Sequence, residues 1–437
     1  MLTGMTDILV LGAGLTGLSC AMLLARDGHQ VTLLDRDDGC ATPGREWEEW
    51  ERPGVTQFRL AHIMLPRWHA VMSAELPSVL DRLAAAGGVR FNFAAALPPV
   101  PSDSRFETLT ARRPILEAAL AAEAAETPGL TLRRGVTVTG LVTQGDRVAG
   151  VRLGDGDKLL ADLVVDCGGR RSALPSWLEA AGLPAPAEER DDAGFVYYMR
   201  HFQGERPEVR GPLLQYHDSL SILTLPGDNN TWAVGFVTST RDKPLRALRD
   251  PAVWSAVLAQ YPIAAPWDSG TPLTGVEVMG GLVDRWRRVT TPGVVAVGDA
   301  ACCTNPSVGR GATMGLLHAQ LLRDVLRAGL PASFTDHTAA EIEPWYRATV
   351  WFDRHRIAEV DADVNGIPYE PDDPDWFGAR ALYAAAAAGD AEATRAQIAT
   401  ASMLTLTPEV KVPDKGIRYP LPGPTRPELL ATVDAAA

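Results

Sequence analysis

The chain has 437 residues, 46% of them hydrophobic and 22% charged, with a formal net charge of −13. Such a chain buries a large core and divides into two or three domains, or into one large domain carrying an insertion. Its acidic balance argues against nucleic acid and against an anionic membrane surface as partners, because both demand clustered basic side chains. The five cysteines, Cys20, Cys40, Cys167, Cys302 and Cys303, are odd in number and form no C-x-x-C pair. They read as reduced, buried thiols rather than as a disulfide framework or a zinc site, and no metal is expected. Met1 to Asp7 lacks the basic and apolar regions of a signal peptide, and no apolar run reaches about 18 residues. The expectation is a cytoplasmic protein without membrane insertion.

Asp7 to Leu11 reads as a short apolar strand. Gly12-x-Gly14-x-x-Gly17 follows at once, then helix formers from Leu18 to Asp27, then a second strand, Val31 to Leu34, ending in Asp35. Cys40 to Arg59 is irregular, and helical periodicity returns over Pro66 to Ala86 and Arg113 to Glu126. Between Leu130 and Asp166, strand-like runs alternate with the turns Gln144-Gly-Asp and Gly154-Asp-Gly, which predicts an antiparallel meander returning to the main sheet. Gly194 to Thr240 adds further strands, two of them joined by a turn at Pro226 to Asn230. Val294 to Val297 leads back to the first fold. Beyond Ser333 the pattern is mostly helical, Ala-rich from Ala381 to Ala401, and the proline-containing last 20 or so residues are expected to drape over the surface.

The first motif opens from a strand into a helix, with an acidic residue following about 20 positions later, the context that gives G-x-G-x-x-G its meaning. Gly12 permits the tight turn, Gly14 lets backbone approach a pyrophosphate, and Gly17 lets helix and strand pack closely. The helix N-terminus offers free N–H groups to the phosphates. Asp35 can accept hydrogen bonds from a ribose, with Arg36 beside it.

That motif reads as a dinucleotide site without saying which dinucleotide. "GVVAVGDAACCTNPSVGRGATMGLLHA", from Gly293 to Ala319, narrows the choice. A buried strand stops at Gly298-Asp299, passes through Pro306, Gly309 and Gly311, and enters a helix at Ala312. Asp299 suits a ribityl chain, and the helix start suits the negative charge of a reduced isoalloxazine. The cofactor is most simply FAD. The predicted fold class is α/β with an α+β second layer: a Rossmann-like FAD-binding domain, an inserted antiparallel β-sheet substrate domain and a helical C-terminus. The boundaries read 1–190 and 286–332 for the two parts of the FAD domain, 191–285 for the sheet domain and 333–437 for the helical region.

Three stretches, "VLGAGLTGLSCAMLLARDGHQVTLLDR", "ADLVVDCGGRRSALPSWL" and "GVVAVGDAACCTNPSVGRGATMGLLHA", give the chain its resemblance to the FAD-dependent monooxygenases of the p-hydroxybenzoate hydroxylase type. They come in that family's order over residues 7 to 330, and "WERPGVTQFRLAHIMLPR" resembles a bacterial branch found in natural-product chemistry. The resemblance implies FAD held by Gly12, Gly14, Gly17, Asp35 and Asp299, with flavin contacts from Arg45 and Arg113. The middle stretch departs from the family pattern, having Gly168 where an aspartate linked to flavin and NAD(P)H ordinarily stands. The reductant is accordingly either NAD(P)H or a separate flavin reductase. Halogenases share the fold and also lack that aspartate. They need a lysine near the substrate, and here the lysines are only Lys158, Lys243, Lys411 and Lys415.

The resemblance implies O2 activation at the reduced flavin through its C4a-hydroperoxide, and oxygen transfer to a hydrophobic aromatic or polyene small molecule. The alternatives are a dehydrogenase or ene-reductase of the same fold that inserts no oxygen, and a non-catalytic flavoprotein. No acid–base residue is strictly required. The residues that could line the flavin pocket are His62, Arg59, Tyr216 and Pro306, with Arg67, Tyr197, Tyr198, His201 and His217 as further positions that equally suit packing. His318 reads as a packing or polar-contact residue.

Overall fold

Asp7–Leu11 and Leu163–Asp166 are apolar on both faces, the pattern of parallel strands covered from above and below. In the computed structural model, which describes residues 6–39, 42–408, 410 and 419–437, they lie side by side in a five-stranded parallel sheet. The order is Val294–Ala296, Leu163–Asp166, Asp7–Leu11, Gln30–Leu34, Leu130–Arg133. Leu11 pairs with both Leu34 and Asp166, and Asp166 pairs with Ala296. This register brings the turns carrying Gly12, Asp35, Cys167 and Gly298 to one end of the sheet. Open α/β sheets bind ligands in the crevice beyond that end.

The two sheet faces are covered differently. Ile8, Val10 and Val165 pack under the helices Leu15–Arg26, Arg113–Glu126 and Gly311–Arg327 through Leu18, Met22, Leu116 and Met314. Leu9, Leu11 and Val164 pack against the meander Val138–Gln144, Arg147–Leu153 and Lys158–Leu160 through Leu141, Val148 and Val151. The helical pattern from Pro66 to Ala86 is two helices, Pro66–Glu75 and Pro77–Ala85, because Pro77 cannot extend the first and opens the second.

A second, antiparallel sheet runs Leu214–Tyr216, Ser221–Pro226, Thr231–Ser239, Phe195–Gln203, Thr271–Pro272, with Glu277–Met279 also paired to Phe195–Gln203. Period-2 alternation divides its residues. Tyr198, Phe202, Trp232 and Phe236 enter a core with Trp254, Tyr261 and Trp267, while Tyr197 and Met199 face the parallel sheet's crevice. Ala187–Asp192, Val283–Arg288 and Cys302–Cys303 form a third small sheet. Arg112 donates to Asp228 through its backbone N–H at 2.6 Å and its guanidinium Nη2 at 2.7 Å, tying the parallel-sheet fold to the Pro226–Asn230 turn.

The C-terminal end departs from expectation. Instead of draping over the surface, Arg426–Ala436 is a helix whose Leu429 and Val433 are buried in the second sheet's core. Thr425 and Glu428 form a capping box, and Leu429 and Val433 share a face at i, i+4 spacing. Cys20, Cys167, Cys302 and Cys303 are free and buried, and Cys40 lies outside the described residues, as do Lys411 and Lys415. Among the described residues no helix is long and apolar enough to cross a membrane.

Candidate active site

A cleft of about 2240 Å³ opens at the carboxyl ends of the parallel strands and extends to the second sheet and the C-terminal helices. Its floor is the first glycine turn. Gly12 has φ +98°, and a β-carbon there would stand 2.7 Å from the Cys167 carbonyl oxygen. At Gly17 a β-carbon would stand 1.8 Å from the Gly12 carbonyl oxygen, so this glycine closes the turn on itself. A β-carbon at Gly14 would make only ordinary contact, 3.6 Å from Arg113. Gly14 is therefore the position that leaves room for a ligand. No side chain caps the helix Leu15–Arg26 at this end, so its first N–H groups remain for an anion.

The second glycine turn meets the first at one side chain. A β-carbon at Gly298 would lie 2.8 Å from Thr16 Cγ2, and one at Gly315 would lie 2.2 Å from Thr16 Oγ1. Thr16, just after the first turn, is thus seated between two glycines nearly 300 positions later in the chain. Asp299 lines the cleft half-buried, and burial raises its pKa. Pro306, Gly309, Gly311 and Ala312 line the same stretch, and the helix Gly311–Arg327 also begins without a side-chain cap. Together the two turns provide open backbone N–H groups at two helix starts and one carboxylate between them, which suits a dinucleotide with a polar chain at its middle.

Asp35 lies on the cleft wall, but its carboxylate is already engaged. It accepts hydrogen bonds from the Ala13 and Asp37 N–H groups and from Arg52. Of a carboxylate's roughly four acceptor positions, one is left for a ribose hydroxyl. Arg52 is the residue sequence reasoning missed. Only 4% exposed, it bridges Asp35 and Glu117 and donates to the Ala13 carbonyl at 2.9 Å. Burial opposes its charge, but Glu117 and Asp35 outweigh that and raise its pKa. No motif spacing announces it, since its partners stand 17 and 65 positions away.

Glu117 also accepts from Arg113 Nε at 2.7 Å, one turn away on the same helix. Arg113 in turn faces His62 Nε2 at 3.4 Å, while His62 Nδ1 faces the Leu60 carbonyl at 2.9 Å. Burial and the Arg113 charge lower the His62 pKa to about 3. His62 is therefore a neutral imidazole whose Nδ1 donates and whose Nε2 accepts. It orients Arg113 rather than carrying protons.

The other expected positions divide between the cleft wall and the fold's interior or surface. Arg36 is exposed beside Asp37, and Arg59 is tied to the Trp50 carbonyl and Glu51. Arg45 does not line the cleft: it is exposed, pairs with Glu49 at 3.3 Å, and is absent from the cleft wall. Its neighbour Trp47 points inward instead, stacked between Arg112 at 4.3 Å and Arg59 at 4.9 Å, with His201 at 5.0 Å. Tyr197 and Tyr216 line the cleft, whereas Tyr198 faces the opposite core and His201 is buried behind Trp47. His217 packs on Tyr261, and Arg67 donates to the Met403 carbonyl. His318 is a polar contact inside the fold, accepting from the Gly298 N–H at 3.2 Å.

The middle stretch explains its own departure. Asp166 accepts hydrogen bonds from the Gly168 N–H at 2.8 Å and from the Ser172 hydroxyl. A β-carbon at residue 168 would stand 2.8 Å from that same Asp166 carboxylate. An aspartate at 168 would meet Asp166 head-on, and glycine avoids the clash. On the far side the cleft turns apolar, with Met199, Leu223 and Met279 from the second sheet and Phe352 and Tyr383 from the C-terminal helices.

Comparison with known proteins agrees with this geometry. Residues 7–102 match the family model described as FAD dependent oxidoreductase, and residues 114–181 match that of tryptophan halogenase. Protein Rv3254 of Mycobacterium tuberculosis is 30% identical over 361 residues, covering 73% of this chain and 72% of its own. Monooxygenase 2 of Arabidopsis thaliana is 24% identical over 356 residues, 74% of this chain and 79% of its own. Among solved structures, PqsL of Pseudomonas aeruginosa, a probable FAD-dependent monooxygenase, superposes with a TM-score of 0.59 at 19% identity, covering 82% of this chain and 100% of PqsL. Its motifs, its fold and its relatives converge: the chain belongs to the FAD-dependent oxidoreductases and is an enzyme.

Proposed function

We propose that this enzyme hydroxylates or epoxidises a hydrophobic aromatic or polyene small molecule. One observation carries the reading: a single cleft joins the two glycine turns to an apolar wall built from the second sheet and the C-terminal helices. Bound FAD would supply O2 activation, with two electrons from an external donor and two protons from solvent accounting for one oxygen atom in the substrate and the other in water. The chain's own residues hold, orient and exclude. Gly12, Gly14 and Gly17 shape the pyrophosphate seat, and Asp35 with Arg36 receives the adenosine ribose. Asp299 receives the ribityl chain, while Gly309, Gly311 and Ala312 present the helix start to the ring. Arg113, oriented by His62 and Glu117, supplies the positive charge beside it. Met199, Leu223 and Met279 keep water from the reacting face.

The donor is NAD(P)H or a separate flavin reductase, and the lack of a carboxylate at Gly168, beside Asp166, favours the second. Among the described residues, neither Lys158 nor Lys243 lines the cleft.

The test is anaerobic reduction of the purified holoenzyme followed by rapid mixing with O2. A spectroscopically distinct transient between reduced and reoxidised flavin, its decay altered by an apolar substrate, is the expected outcome. Direct reoxidation with and without candidate substrates would replace this reading with a dehydrogenase or ene-reductase.

A further inference from the structure

Arg310 stands immediately before the helix Gly311–Arg327, on the cleft wall and only 7% exposed. Its Nη1 donates to the Thr349 hydroxyl at 2.9 Å and its Nη2 to the Thr400 carbonyl at 3.4 Å, while its buried Nε has no partner. The guanidinium lies 5.8 Å from the Trp345 ring. Burial lowers its pKa, and Tyr383, Asp353 and Tyr216 oppose that only through space. Both tyrosines hold their protons, because burial raises their pKa values.

A buried charge ordinarily has a counter-charge. Here Arg52 has Asp35, Arg112 has Asp228, Arg113 has Glu117, Arg200 has Asp268, Arg287 has Glu188, Arg323 has Glu75 and Arg356 has Glu359. Among the described buried arginines, Arg310 and Arg285 have no carboxylate within ion-pair distance, and of these two only Arg310 lines the cleft. The surface next to it is aromatic: Tyr216, Phe352 and Tyr383.

We propose that Arg310 is the counter-charge for the substrate, which is an apolar, aromatic-sized molecule bearing a carboxylate. The Arg310 guanidinium donates to the carboxylate, and the rings of Tyr216, Phe352 and Tyr383 hold the apolar body. This rests on the proposed oxygenase reading for the identity of the cleft, but its test needs no turnover. Oxidised holoenzyme is titrated with 2-naphthoate and, separately, with the neutral isostere 2-naphthamide, following the flavin absorption difference spectrum. Naphthoate is expected to bind about tenfold or more tightly than naphthamide. Arg310→Gln, which keeps a donor toward Thr349, is expected to erase the preference, and Arg310→Lys to retain part of it. Equal affinities in the unaltered protein, no binding of either compound, or a preference that survives Arg310→Gln would each overturn the assignment. Because the flavin stays oxidised throughout, failure here is distinguishable from failure of the oxygen-mixing experiment.

Discussion

Arg52 forms direct ion pairs with two buried carboxylates, Asp35 and Glu117. Removing it takes away the cation that pairs directly with Asp35 and leaves Glu117 with Arg113 alone. Arg52→Met is expected to destabilise the fold by about 3–5 kcal/mol and to lower the flavin-to-protein ratio after purification, checked by thermal melting and absorbance. Arg52→Lys recovers little, since an ammonium cannot fork to two carboxylates. At this scale the sequence exposes what is periodic or local. Gly12, Gly14, Gly17 and Asp35 stand at fixed spacing within one β-α-β unit, so the turn they build can be read before folding. Arg52 acquires its role only when the chain crosses itself, and nothing around it in the sequence marks it. Arg45 shows the converse error: a nearby arginine is chosen, while the helix Glu46–Glu49 turns it outward to Glu49 and turns Trp47 inward.

Between elements, the seam that matters is Thr16 against Gly315, joining the helices Leu15–Arg26 and Gly311–Arg327. Gly315→Ala places a methyl 2.2 Å from the Thr16 hydroxyl, and the two helices must separate. The expected loss is about 1–3 kcal/mol of stability, together with weaker FAD retention. Adding Thr16→Ala removes the hydroxyl and leaves the Thr16 β-carbon as the nearest neighbour, at 3.3 Å. The double variant should therefore regain most of the loss, which melting curves and flavin content will report. Strand and helix positions are legible where burial pattern and length agree, as in Asp7–Leu11 and Arg113–Glu126. They fail where a capping signal is overlooked. Thr425 and Glu428 announce the last helix, yet the prolines around it suggest an irregular tail.

Across the molecule, Asp284 links the third sheet to the cleft. It accepts the Asn305 N–H at 2.6 Å, and the Asn305 side chain accepts the Tyr197 hydroxyl at 2.7 Å. Burial pushes the Asp284 carboxyl up to about 6. The folded chain thus binds this proton more tightly than the unfolded chain, whose aspartates titrate near 4. The group's contribution is complete below about pH 4 and is lost as pH rises to about 6, by roughly 3 kcal/mol. Asp284→Asn keeps an acceptor for Asn305 and does not titrate. The difference between the melting temperatures of the unaltered protein and Asp284→Asn, measured from pH 4 to 7, should widen in favour of the variant as pH rises.

The strand order of the parallel sheet also bears on how the protein is made. Its edge strand, Val294–Ala296, emerges from the ribosome long after its neighbour Leu163–Asp166, and the second half of the cofactor seat emerges with it. A nascent chain stalled before residue 300 would present the first glycine turn with no Thr16–Gly315 seam behind it. Flavin loading therefore waits for synthesis to pass the helix Gly311–Arg327, and truncated products should emerge colourless, however well their N-terminal β-α-β unit has formed.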